Sequence, residues 1–134
     1  MHARMSSNMS ELVSPWRMFN LKLNDFIADL KPIIGHLPEY SVLQASTKVM
    51  ANLDEKTNQN FFNQYVAEAY AERIVASDES FFLKSSYDEF SNVGVVHLLK
   101  NAWTTLAETD KAAVWAHLQV LIVLNRRCLA AVGK

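Results

Sequence analysis

Apolar residues recur at three- and four-residue steps through most of this chain, the period of amphipathic helices. Trp16, Phe19, Leu23, Phe26, Ile27 and Leu30 fall on one face, with Arg17, Lys22, Asp25 and Asp29 elsewhere. Ser14 precedes them as an N-cap, and Pro15 takes the first helical position, where its missing N–H removes no hydrogen bond. Pro32 ends or kinks this helix because it disfavours helical geometry at Lys31. Gly35-His36-Leu37-Pro38 reads as a turn. A second helix is expected from a Ser41 cap to about Asn52, with Val42, Leu43, Val49, Met50 and Leu53 as its apolar set.

After the polar stretch Asp54 to Asn60, which is either a loop or an exposed first turn, a third helix is predicted over Phe61 to Ala76. Phe61, Phe62, Tyr65, Val66, Ala69, Tyr70, Arg73 and Ile74 repeat along it, and Glu68 and Glu72 stand on its solvated side. Ser77-Asp78-Glu79-Ser80 breaks the pattern. Phe81-Phe82-Leu83 is a short apolar plug, and Tyr87-Asp88-Glu89-Phe90 suits a single turn; Phe82 and Phe90 are expected to seal the bundle.

The strongest pattern is C-terminal. Val95, Val96, Leu98, Leu99, Ala102, Trp103 and Leu106 mark a fourth helix from about Asn92 to Leu106. After the link Ala107-Glu108-Thr109-Asp110, a fifth helix, capped by Thr109 or Asp110, runs to about Ala131 with Gly133 beyond it. It is apolar on more than one face, which places it centrally or at an interface. The two form an antiparallel helical hairpin with a Trp on each arm.

The predicted fold is therefore all-α: one domain, residues 14–134, a bundle of about five helices closed by that hairpin. Its core should include Trp16, Phe19, Phe26, Phe62, Val66, Leu99, Trp103, Trp115, Leu118 and Ile122. Residues 1–13 carry three Met and three Ser without a periodic stripe, so a flexible N-terminal arm is expected there. Three glycines and three prolines in 134 residues are too few for the many turns of an all-β chain.

Charge narrows the function classes. The net charge is −1 and the signs are mixed along the chain, so no basic face for a phosphate backbone is expected. Arg126-Arg127 is the one local basic pair, near the end of the last helix where positive charge suits the exposed carbonyls. The single cysteine, Cys128, allows no internal disulfide and sits in an apolar run, as a buried inert thiol would. Val114 to Leu124 is too short an apolar stretch to span a bilayer, and Met1 to Ser10 has no apolar core of a signal peptide. An intracellular setting is the simplest one.

Catalytic constellations are missing. His2, His36, His97 and His117 stand at no metal-ligand spacing, and Glu68 with Glu72 lacks the Glu-x-x-His partners of a di-metal bundle. The acids from Asp78 to Glu89 lack the glycine of a calcium loop. Neither a phosphate loop nor a nucleophile elbow occurs. No metal, cofactor or catalytic residue is assigned.

Leu98-Leu99-Lys100-Asn101-Ala102-Trp103, the acidic link, and Val114-Trp115-Ala116-His117-Leu118-Gln119-Val120-Leu121 resemble a C-terminal pattern of small helical proteins of large DNA viruses of algae and protists. That pattern reads Leu-x-x-x-Trp, Asp-x-Lys, then Ile-Trp-x-Tyr-Leu-Gln-x-Leu; Val114 stands here for Ile and His117 for Tyr. The resemblance covers about a third of the chain and implies a viral or protist setting rather than an activity.

The function expected on these grounds is a non-catalytic protein–protein interaction or structural module, binding a protein partner or itself. Its contact surface is expected at Phe81, Phe82 and Leu83 and at Val120, Val123 and Leu124 of the fifth helix. The alternative is a helical ligand-binding domain or enzyme with a pocket lined by Tyr65, Tyr70, His97 and His117, aromatic groups with polar tips.

Overall fold

The structure is a computed structural model, and it describes residues 13–86 and 88–133. The expected arm at 1–13 lies outside the described residues except for Val13. Every regular element is helical, and the described residues contain no strand.

Helix α1 spans Pro15–Asp29. Ser14 caps it, its hydroxyl accepting from the Arg17 N–H at 3.0 Å, and Pro15 opens it. Leu30 separates this helix from the single turn α2, Lys31–Ile34, with Pro32 in its first turn.

Helix α3 spans Pro38–Leu53 and begins three residues before the expected cap. Pro38 sits in its first turn, where its fixed φ suits the helix, so the expected turn is also a helix start. The expected inner face is corrected as well. Of the expected set Leu43 is buried and Met50 half-buried, but Val42, Val49 and Leu53 are 67%, 55% and 78% exposed, and Tyr40 and Thr47 join Leu43 on the inner face instead. Both sets keep helical spacing. Packing chose the one whose Tyr40 hydroxyl donates to the Ile27 carbonyl of α1 at 2.5 Å.

The third helical segment is longer than expected and carries a bulge. Helix α4, Thr57–Phe62, passes through a π turn, Asn63–Ala67, into α5, Glu68–Val75. Helix α5 ends in a Schellman turn. Ser77 adopts φ 54°, its N–H bonds the Ile74 carbonyl at 3.0 Å, and the Asp78 N–H bonds the Arg73 carbonyl at 2.8 Å. Gln119 secures this end, its amide donating to the carbonyls of Ile74 and Val75.

Phe81 and Phe82 lie in the single turn α6, Ser80–Leu83, and seal the core together with Phe90. Helix α7 spans Gly94–Ala102 and tightens into a 3₁₀ turn, Trp103–Thr105, short of the expected end. Helix α8 spans Glu108–Val132. It is preceded by Ala107 rather than capped by Thr109 or Asp110, and Glu108 and Asp110 stand in its positively polarised first turn.

The two hairpin arms meet where the Trp103 and Trp115 rings pack edge to face at 5.3 Å. The most extensive partner of α8 is α1, not α7. His117 of α8 stacks on Phe26 of α1, while Asn125 is linked through Gln59 to Trp16 nearer the start of α1. The pair therefore runs antiparallel. Of the expected core residues only Trp16 is half-buried; Phe19, Phe26, Phe62, Val66, Leu99, Trp103, Trp115, Leu118 and Ile122 are buried in one cluster.

Candidate functional site: a groove between α3 and α7

The described residues form an open groove of about 650 Å³. Residues of α2 and the start of α3 form one wall: Ile33, Leu37, Val42 and Leu43. Leu98, Ala102 and Leu106 form the other. Gly94 lets the walls converge at its floor, since a methyl group there would come within 2.8 Å of Leu43 Cδ1. Polar tips stand around this apolar lining: His36, Glu39, Ser46, His97, Asn101 and Thr105. A lining of this kind takes an apolar body and orients it through a few polar groups.

The residues expected to line a pocket are dispersed. Only His97 lines this groove. Tyr65 packs against Phe61. Tyr70 belongs to the aromatic core, packed edge-on against Phe81 and Phe90, and its hydroxyl donates to a Glu89 carboxylate oxygen. That bond, then burial and the Glu89 charge, raise the Tyr70 pKa, and Arg73 partly offsets them.

His117 sits on the α1 side of α8. Lys22 Nζ donates to its Nδ1 at 2.7 Å, and Asp29 Oδ2 lies 3.2 Å from Nε2. An ammonium only donates, so the ring's own proton is on Nε2, facing Asp29. Burial and the Lys22 charge lower the His117 pKa against the opposing pull of Asp29 and Asp25.

The expected contact surface is half corrected. Phe81 and Phe82 are buried, and Leu124 is only 7% exposed, so these three pack the core and offer no surface. Phe82 stacks on Trp103 at 4.2 Å. Leu83, Val120 and Val123 are exposed.

Sequence reasoning missed a polar seam through the core. Trp16 Nε1 donates to Gln59 Oε1 at 2.9 Å, Gln59 Nε2 to Asn125 Oδ1 at 2.8 Å, and Asn125 Nδ2 to Asn63 Oδ1 at 2.9 Å. Asn20, also buried, donates to the Glu55 carbonyl and accepts from Asn58. One signal was available: Asn125 continues the Leu118–Leu121 stripe toward Cys128 at helical spacing. Cys128 is buried, and desolvation followed by the Glu55 charge lifts its pKa to about 11.

Among the described residues no group of three or more His, Cys, Asp or Glu side chains is placed to hold a metal ion, and no helix is long and apolar enough to cross a membrane. No family model, curated protein or solved structure matches this chain.

Proposed function

We propose that this chain is a non-catalytic interaction module that receives an apolar segment of a protein partner in the groove between α3 and α7. The observation carrying this reading is the exposure of Val42 at the groove wall, 67% open to water and continued along α3 by Val49 and Leu53. Large apolar side chains left exposed along one helix face are costly to leave wet and mark contact surfaces. An amphipathic helix laid into such a groove is a recurring recognition mode.

Affinity capture with the immobilised chain tests it, comparing the parent with Val42→Asp, which charges the wall, and Ser46→Trp, which fills the groove. A partner retained by the parent and lost by both variants, at unchanged melting temperature, supports the reading. The same proteins recovered by all three chains, or none by any, would count against it.

The volume of the groove favours one second reading, since about 650 Å³ lies within the range of small-molecule sites. A ligand with an apolar body and a polar head facing His36, Glu39 or His97 is that alternative, and thermal shifts abolished by Ser46→Trp would mark it. The viral or protist setting implied by the C-terminal resemblance belongs to the same proposal. Genes neighbouring this one in its genome test that setting.

A further inference from the structure

The groove between α3 and α7 is walled by helices, and that restricts what it can hold. On α3 the lining positions Glu39, Val42 and Ser46 step by three and four residues. On α7 and the 3₁₀ turn after it, Gly94, Leu98, Asn101 and Thr105 step by four, three and four. Each wall is therefore one face of a helix. Backbone groups inside α3 and α7 are paired within their own helices, so the walls offer no edge to an added strand. An extended segment laid there would press its own N–H and C=O groups against Val and Leu side chains, whereas a helix bonds them internally. Among the described residues no Phe, Tyr or Trp lines the groove, as recognition of a polyproline segment requires. The α7 wall from Gly94 to Thr105 is about 17 Å long at the helical rise, which matches about three turns of an occupant.

Glu39 selects among helices. It is the one carboxylate among the lining residues, and neither Lys nor Arg lines the groove beside it. Among the described residues its side chain has no hydrogen-bond or ion-pair partner. Glu39 stands in the first turn of α3, so its charge marks one end of the groove. We infer that the occupant is an amphipathic helix of a protein partner, about three turns long, apolar at steps of three and four, with Lys or Arg on the flank that meets Glu39. This inference rests on the groove being the contact site proposed above, and it adds the shape and charge of what enters. Glu39 is exposed, so the ion pair is a rim contact that supplies selectivity, about fivefold, rather than the bulk of the affinity.

Fluorescence anisotropy with the full chain tests this, using three labelled synthetic peptides of equal length. All carry leucine at steps of three and four. The first has lysines on its flanks, the second glutamates, and the third repeats the first with a central proline that breaks the helix. The lysine peptide should bind about fivefold tighter than the glutamate peptide, a preference that fades in molar salt. Glu39→Lys should reverse the order, Ser46→Trp should abolish binding, and the proline peptide should bind least, all at unchanged helix content of the protein. The proposal is overturned if no peptide binds, if the lysine and glutamate peptides bind equally, if Glu39→Lys keeps the order, or if the proline peptide binds as well as the first. Binding that survives Ser46→Trp lies outside the groove and also overturns it. So does a small molecule whose thermal shift is lost in Ser46→Trp while no peptide binds. A captured partner that is lost in Val42→Asp and Ser46→Trp but indifferent to Glu39→Lys would keep the groove as the contact site and remove only the basic helix.

Discussion

Gln59 on α4 donates its side-chain amide to Asn125 on α8 at 2.8 Å, 66 residues away along the chain, with both side chains buried. Each carries on the seam, Gln59 accepting from Trp16 and Asn125 donating to Asn63. Leucine at either place would also be buried, but would leave the partner amide without its hydrogen bond. The amides add a condition that leucine does not: only one rotation and one height of α8 lets every polar atom find its partner. Asn63, the partner of Asn125, opens the π turn Asn63–Ala67.

Replacing Asn125 by Leu strands the Gln59 amide in the core and should destabilise the fold by about 1–3 kcal/mol. The double change Gln59→Met with Asn125→Leu should cost less than the sum of its parts, because the first removes the group that the second leaves unpaired. Denaturant titration of the four chains reads this coupling. Strict additivity would show that the two amides act independently.

Trp115→Ala should cost about 3–5 kcal/mol, since the ring is buried against Phe82 and Trp103. For a domain of this size that lowers the melting temperature by roughly 10–18 °C. A variant melting within a few degrees of the parent would place the ring outside the core.

The His117 ring is held neutral in the folded chain, with its pKa below the unfolded value by burial and by Lys22. The unfolded chain takes up the proton first, so the stability tied to the neutral ring is complete above about pH 6.5 and is lost as pH falls from there to the folded pKa. Unfolding measured at pH 8 and pH 5.5 should show the parent losing more stability than His117→Gln. The ring's own NMR titration should have its midpoint below that of a free histidine; a midpoint above it would reverse the sign.

Ser77 holds φ 54° at the end of α5, a region costly for a side chain bearing Cβ. Ser77→Gly should therefore raise stability by about 0.5–1 kcal/mol, read as a few degrees of melting temperature. Ser77→Val should lower it. The reverse order of the two variants would assign the turn to the Gln119 contact with Ser77 Oγ instead.

Cys128 should be almost inert toward thiol reagents in the folded chain, being buried with its pKa lifted to about 11. Its modification rate should rise to that of an ordinary thiol in denaturant. Rapid modification under native conditions would mean that the end of α8 opens frequently.

Helical periodicity was enough to read the all-α fold, the Ser14-Pro15 start and nearly all of the core, because large apolar side chains at steps of three and four leave few alternatives. It failed in part on α3, where Leu43 is buried as expected but Tyr40 and Thr47, rather than Val42, Val49 and Leu53, share its inner face, and the tertiary partner of Tyr40 decides. The bulge over Asn63–Ala67 was invisible because a π turn keeps the three- and four-residue apolar steps on either side and leaves no mark in the periodicity. The groove was illegible for a related reason: its walls come from segments about fifty residues apart in sequence, and their separation is set by Gly94 against Leu43. The plug at Phe81 and Phe82 was read both as a seal and as a surface, and burial assigns it to the first.

The antiparallel packing of α1 on α8 joins segments far apart in the chain, as the Lys22–His117 contact spans 95 residues. Phe19 can meet Phe62 early in synthesis, but Phe26 waits for His117 of α8, which the ribosome adds much later. At about 5–20 residues per second that interval lasts several seconds. The Phe26 side of α1 therefore stays open to water over that interval, and shielding of it while α8 is being made is a demand that the topology itself creates.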